Sequence, residues 1–439
     1  IQQEAASGDI TLLPQKTNLI YQTSLIYCFN DEQSLYYIDK EFNFYAFHIP
    51  TQKNEFIANL GKEIQERGKI SSIVHYHNSY FVGFLMDGIL LLEKQKETDH
   101  YQIQSLPINS GVFCLKKDRF QDVVWIGTDG QGVYLYSNPL YSIKSMVLSN
   151  YTEKIERPVR AIYLDDERTF WVGTKGNGIL KIYDYEFDKN ISDCRAEVLT
   201  TSNSALSSNA VYCFAKSHRN LLWIGDEEGL TYYSYREKRI KSIPIRIGNE
   251  DFKYIHDIYE TADSELWLAS VGMGVVKARI AGTPDNPVIV DAQRYIINDG
   301  ELGSNYFFTI YAENEANLLF GNKGYGVFRY NETTNGLEPV STHKYENMTL
   351  NNILAISKDS SNNYLFGTSY GLIKYTSETS YQLFNAKNGF LNNTIHAILR
   401  NSSDDFWLST NLGLINFDTK RNVFRSYGFG DGLKVVEFS

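Results

Sequence analysis

A single short pattern, written again and again, limits what this chain can become. In its clearest form it reads Phe170-Trp171-Val172-Gly173-Thr174, then the turn Lys175-Gly176-Asn177-Gly178, then Ile179-Leu180-Lys181-Ile182. Apolar runs on either side of a glycine turn describe two antiparallel strands and the hairpin between them. The pattern stands again at Val124-Trp125-Ile126-Gly127-Thr128 and returns around Trp223, Trp267 and Trp407, so all 5 tryptophans hold one position of a repeat. Leu319 and Leu365 hold it in two more copies and Phe81 in another. Ile26-Tyr27-Cys28-Phe29 with Ser34-Leu35-Tyr36-Tyr37-Ile38 forms the weakest, for nine copies. From Phe81 onward the anchors are 42 to 52 residues apart. That is the length of a four-stranded propeller blade, and longer than a leucine-rich or ankyrin unit.

Each copy has an earlier strand and a later one. Runs such as Val159-Arg160-Ala161-Ile162 and Val211-Tyr212-Cys213-Phe214 precede the anchor, separated from it by polar turns such as Asp165-Asp166-Glu167-Arg168. Looser aromatic strands, such as Val423-Phe424-Arg425-Ser426-Tyr427, close the unit. The position of Ala161 is filled elsewhere by Cys28, Cys114, Cys213, Asp257, Thr309, Ala355 and Ala397. Small side chains are expected where first strands crowd around a central axis, and a flat indole is expected between blades. No helical period competes, so the fold class is all-β: a β-propeller of four-stranded antiparallel blades. The Gly-x-Gly of Gly176-Asn177-Gly178 opens no helix and is a hairpin, not a dinucleotide fingerprint.

Composition excludes some functions. The net charge is -10 with no Lys/Arg cluster, which argues against a nucleic-acid surface. No apolar run approaches the length of a membrane span. The 4 cysteines are too few for a disulfide framework and are expected as small buried residues. With neither an initiator Met nor a signal peptide at Ile1, the sequence reads as a mature or excised part of a longer protein.

These residues resemble the two-component regulator propeller repeat, W-[IVL]-G-T-x-x-x-G-[VIL]. Connections such as Leu206-Ser207-Ser208-Asn209-Ala210-Val211 and Leu391-Asn392-Asn393-Thr394-Ile395 resemble it too, as does the closing Asp431-Gly432-Leu433. The resemblance covers residues from about 25 to 439. It implies the periplasmic sensor region of a Bacteroides-type hybrid two-component system: two tandem seven-bladed propellers, then a membrane helix, a histidine kinase and a DNA-binding regulator. By the same resemblance the ligand is a glycan-derived oligosaccharide and the full-length receptor a homodimer. No cofactor is implied, and the membrane is reached only through a helix outside this chain. Nine copies fit parts of two rings: 1–146 as the last blades of a first propeller and 147–439 as a second, with its last blade incomplete. The segment from Asn138-Pro139-Leu140 to Arg157-Pro158 is the expected boundary. A single eight- or nine-bladed ring is the alternative.

Ligands of propellers sit over the channel, on the face carrying the second-to-third-strand turns and the connections between blades. The residues there that suit a sugar are Lys175 and Asn177, Lys323 and Tyr325, Tyr370 and Asn411. Asp257, a carboxylate in a slot otherwise filled by Ala, Cys or Thr, and its neighbour His256 complete the candidate set. Asn, Asp and Lys also suit turns for purely local reasons, and the recurring Asn209, Asn305, Asn351 and Asn393 read as caps to backbone amides. His75 and His77 alternate onto one face without a third metal ligand. The favoured function is a non-catalytic ligand sensor. A propeller lyase or glycosidase, which needs a converging acid and base, and a protein-interaction platform are the alternatives.

Overall fold

The computed structural model describes residues 25–439 apart from 31–32, 96–99, 119–120, 138–142, 144–145, 147, 149–154, 187–193, 298–304, 341–350, 378, 435–437 and 439, together with the strands Gln2–Glu4 and Ile10–Leu12. Of the expected boundary segment, Asn138-Pro139-Leu140 lies outside the described residues.

Nine consecutive antiparallel sheets account for the nine repeats. Blades 1 and 2 span residues 25–59 and 70–105. Three strands of blade 3 are described, within 112–136. Blades 4 to 9 span 159–199, 211–242, 255–295, 307–339, 353–384 and 395–427. The chain divides into two compact units, Ile1–Leu140 with blades 1 to 3 and Tyr141–Ser439 with blades 4 to 9. Blade 9 has all four strands, ending with Val423–Tyr427. The expectation of an incomplete last blade therefore gives way, because all four strands of that sheet are in place by Tyr427. One short helix, α1 (Gly61–Arg67), links blades 1 and 2 and rests Ile64 on their shared core. The sequence reading had no place for it, since a seven-residue run is too short to show a period.

The cores lie between blades. Trp171, Trp223 and Trp267 are fully buried, as are Leu319 and Leu365 at the same position. Two of these indole N–H groups are tied across or within blades: Trp171 donates to Asp165 Oδ2 at 2.8 Å, and Trp223 to Glu260 Oε2 of the next blade at 2.8 Å. The glycine two residues after the anchor is small because the next blade presses on it. A Cβ on Gly173 would meet Val211 Cγ1 at 2.8 Å, and one on Gly225 would meet the Ile255 carbonyl at 2.7 Å. Between blades 4 and 5 the buried Lys181 donates to Tyr233 Oη at 2.8 Å, with its ammonium 4.1–4.7 Å from the rings of Trp171, Tyr183 and Tyr233.

In the second unit the first strands adjoin one another in chain order from blade 4 to blade 9. Among the described residues no comparable adjacency returns from blade 9 to blade 4. The free side of blade 4 is partly covered: Met146, Leu148 and Ile155 pack on Val172, Leu180 and Ile182. On its first strand, however, Ile162 is 65% and Leu164 51% exposed, and on blade 9 Leu399 is 69% exposed. The connection after blade 9 comes back beside the lead-in to blade 4, where a Cβ on Gly432 would stand 2.9 Å from the Ile143 carbonyl.

The cysteines depart from expectation. All are free; Cys213 is buried, Cys194 half-buried, and Cys28 and Cys114 exposed. Cys114 does occupy the small slot, opposite Gly127, but on a blade whose Phe113, Trp125 and Leu135 are also exposed. Cys28 is one residue out of place: in blade 1 Tyr27 takes the slot and Cys28 pairs with Tyr37. A shift of one residue along a strand moves a side chain to the opposite face.

Candidate functional site

One end of the second unit gathers the candidate residues. In every blade there the start of the first strand pairs with the end of the second, as in Val159 with Thr174 and Ile395 with Thr410. The second-to-third-strand turn therefore lies beside the lead-in to its own blade; we call this end the mouth. The turns are latched in series. The Asn209 carbonyl of blade 5 accepts from Gly176 N (3.0 Å) and Gly178 N (2.9 Å) of blade 4, and the Asn305 carbonyl of blade 7 accepts from Gly272 N and Gly274 N of blade 6, each at 3.0 Å. The amide side chains cap their own connections: Asn209 Oδ1 accepts from Thr201 N, Asn305 Oδ1 from Ile297 N and Asn393 Oδ1 from Ala386 N, at 2.8–2.9 Å.

The first strand of every blade is also bulged at its second residue. In the second unit the ladder shifts between 159 and 161, 211 and 213, 255 and 257, 307 and 309, 353 and 355, and 395 and 397. A bulge leaves one residue out of the ladder and re-aims its side chain. The six so released are Arg160, Tyr212, His256, Phe308, Leu354 and His396, all half-buried. Four of them touch in succession across four blades. The Arg160 guanidinium carbon stands 5.8 Å from the Tyr212 ring centroid. Tyr212 stacks on His256, with centroids 4.3 Å apart and planes 19° from parallel, and His256 meets the Phe308 ring edge-on at 5.7 Å. Burial, aided by the Arg160 charge, pushes the His256 pKa down to about 4, so its imidazole is neutral near pH 7. The Arg160 Nε is buried without a hydrogen-bond partner.

The sequence-predicted residues fall into different roles. His256 belongs to this stack. Asp257 does not share its direction: Oδ1 accepts from Ile258 N at 2.9 Å and Oδ2 from Ile310 N of the next blade at 2.7 Å. Burial raises its pKa to about 6, against the pull of the Ile310 and Ile258 amides and the Thr309 hydroxyl. Ser72 does the same work in blade 2, accepting from Leu115 N of blade 3 at 3.2 Å. The small slot is thus a point of contact between adjacent first strands, and the wide residue before it faces a different way. Asn177 is held by the lead-in, its Oδ1 accepting from Glu156 N (3.1 Å) and Arg157 N (2.8 Å). Lys175, in the same turn, is exposed and makes no ion pair among the described residues. The Lys323 ammonium lies 5.5 Å from the Tyr306 ring, while Tyr325 and Tyr370 pack against the cores beside blade 7 and blade 8. Asn411 Oδ1 is 2.6 Å from His396 Nε2, joining a turn residue to a bulged one. His75 and His77 are engaged separately, His75 Nδ1 with Tyr36 Oη at 3.0 Å and His77 Nε2 with Asp122 Oδ2 at 2.7 Å. Among the described residues no group of three or more His, Cys, Asp or Glu is placed to hold a metal ion.

This architecture has solved counterparts. Over 99% of this chain it is similar to the extracellular domain of the hybrid two-component system BT3049 of B. thetaiotaomicron, with 20% identity and a TM-score of 0.53 over 61% of that domain. Over 97% of this chain it is similar to the corresponding domain of BT4673 from the same organism, with 18% identity and a TM-score of 0.50 over 57% of that domain. The chain shares the fold of these extracellular domains. It spans less than two thirds of the length of either. No protein-family profile matches the sequence. A 140-residue stretch is 31% identical to translation initiation factor 6 of Saccharolobus solfataricus, covering 29% of this chain and 57% of that protein. No helix among the described residues is long and apolar enough to cross a membrane.

Proposed function

We propose that this chain is part of the ligand-sensing region of a hybrid two-component receptor, and that the mouth of its second unit binds a glycan-derived oligosaccharide. The observation that carries the reading is the fold shared with two such ectodomains over nearly the whole chain. The mouth supports it with the partners a sugar uses: a stacked Tyr212–His256 face, and polar groups at Lys175, Lys323 and Asn411 on the surrounding turns. Binding would favour one arrangement of a receptor dimer, and that preference would pass through a membrane helix outside this chain to a histidine kinase.

The reading is non-catalytic. The single carboxylate among the described first-strand slots, Asp257, is held by backbone amides of its own and the next blade, so those slots supply no converging acid and base for glycan cleavage. A thermal-shift screen against defined oligosaccharides tests this, since a ligand of the folded state raises the melting temperature. A shift with the sugar recovered intact supports a sensor. Appearance of new reducing ends identifies an enzyme. A flat response to every sugar, with capture of a folded protein instead, favours an interaction platform.

A further inference from the structure

Cations in the second unit are mostly neutralised. Lys216 pairs with Asp166, Arg219 with Glu260, Arg236 with Asp285 and Arg294 with Glu250. At the mouth of blade 4, as at Lys323 of blade 7, basic residues stay outside such pairs. Arg157, Arg160 and Lys175 make no ion pair among the described residues, although the chain as a whole carries a net charge of -10. Their backbones are tied together, Lys175 N donating to the Pro158 carbonyl at 2.9 Å and Arg157 N to Asn177 Oδ1 at 2.8 Å. Arg160 is the most committed of the three, because its Nε is buried without a partner. A donor withdrawn from water and left unsatisfied is costly, and a guanidinium fork is satisfied best by two oxygens of one anion. The carboxylates on the facing turn of blade 5 are otherwise engaged: Asp226 accepts from Ser207 Oγ at 2.6 Å and from two backbone amides, and Glu227 from Ser208 Oγ at 3.4 Å. His256 beyond Tyr212 is neutral and adds no repulsion of its own.

Resting on the oligosaccharide reading above, we infer that the sugar is acidic: a carboxylate or sulfate ester docks on Arg160, flanked by Arg157 and Lys175, while its ring lies against Tyr212 and His256. A neutral sugar would leave Arg160 without a counter-charge and its Nε unsatisfied.

Calorimetric titration of the full chain tests this with three matched probes: a galacturonate disaccharide, a sulfated galactose disaccharide and the neutral galactose disaccharide. At least one acidic probe binds about tenfold or more tightly than the neutral one, and its advantage shrinks as salt is added. Whether carboxylate or sulfate is preferred tells the two sources of the charge apart. Arg160→Met weakens the acidic probe by about tenfold or more, with neutral binding and melting temperature unchanged. Should that variant melt lower, the double variant Arg157→Met with Lys175→Met carries the same test on two exposed side chains. Equal affinity for acidic and neutral probes, or an acidic affinity indifferent to both variants, overturns the acidic assignment while leaving an oligosaccharide sensor standing. Binding of none of the three overturns both.

Discussion

Asp257 offers a way to separate a structural carboxylate from a functional one. It is a carboxylate in a slot where other blades carry Ser72, Cys213, Thr309 or Ala355, and its Oδ2 receives Ile310 N at 2.7 Å. Its pKa is raised by burial from 3.8 to about 6. A folded-state pKa above the unfolded one means that folding favours the protonated form. The contribution is present in full below 3.8 and is lost as pH rises through about 6. A shift of roughly two units corresponds to about 3 kcal/mol. Asp257→Ser keeps an acceptor for Ile310 N, as Ser72 does for Leu115 N, but does not titrate. Urea unfolding of wild type and Asp257→Ser, followed by tryptophan fluorescence between pH 4 and pH 7.5, measures the difference. The serine variant should gain on wild type by about 3 kcal/mol across that range, most of it between pH 4 and 6. Asp257→Ala, which leaves Ile310 N unpaired, should be about 1–3 kcal/mol less stable than the serine variant at every pH. A difference between wild type and Asp257→Ser that stays constant with pH would refute the reasoning, and with it the assignment of Asp257 as a staple between blades rather than a solvated channel group.

Other expectations follow from the same contacts. Trp171→Ala, at a fully buried anchor, should cost about 3–5 kcal/mol in urea unfolding, whereas Trp125→Ala, at an anchor 38% exposed, should cost far less. Gly178 has φ 75° and a Cβ there would lie 2.1 Å from the Leu199 carbonyl, while Gly130 has φ 77° and open space around it. Gly178→Ala should therefore lower the melting temperature well beyond Gly130→Ala, whose cost is about 1 kcal/mol of backbone strain. Asn177→Ala removes the acceptor for two exposed lead-in amides and should lower stability by about 0.5–1.5 kcal/mol. Lys175→Ala, two residues away, should leave the melting curve unchanged and alter only ligand titrations.

The blades were legible because their signal is repeated: a large anchor, a glycine two residues later and a turn glycine recur with a steady spacing, and each copy corroborates the others. The bulge was not legible, since it breaks the alternation on which strand reading relies. For that reason the sequence pattern puts Cys28 one residue off its true register and does not group Arg160, Tyr212 and Phe308 with His256. A usable signal was nevertheless present. The residue just before each small slot is large in every blade of the second unit: Arg160, Tyr212, His256, Phe308, Leu354 and His396. The turn residues were chosen by polarity alone, and polarity does not distinguish Asn177, whose oxygen holds two amides, from Lys175, which holds none.

The bare apolar positions at the two ends of the second unit have a consequence for how it comes apart. Among the described residues of the second unit, blades 5 to 8 each have a blade of that unit on both sides, whereas blades 4 and 9 have one each, with residues 143 and 432 close together. Such an array behaves like a stack of plates held only by adjacent contacts, in which melting starts at the outer plates and moves inward. Amide protons in Val159–Leu164 and Ile395–Arg400 should then exchange with deuterium before those in Ile255–Glu260, deep in the row. Arg160 sits in one of those first-melting strands, so an anion that holds it would slow exchange at the very end where the row begins to fray.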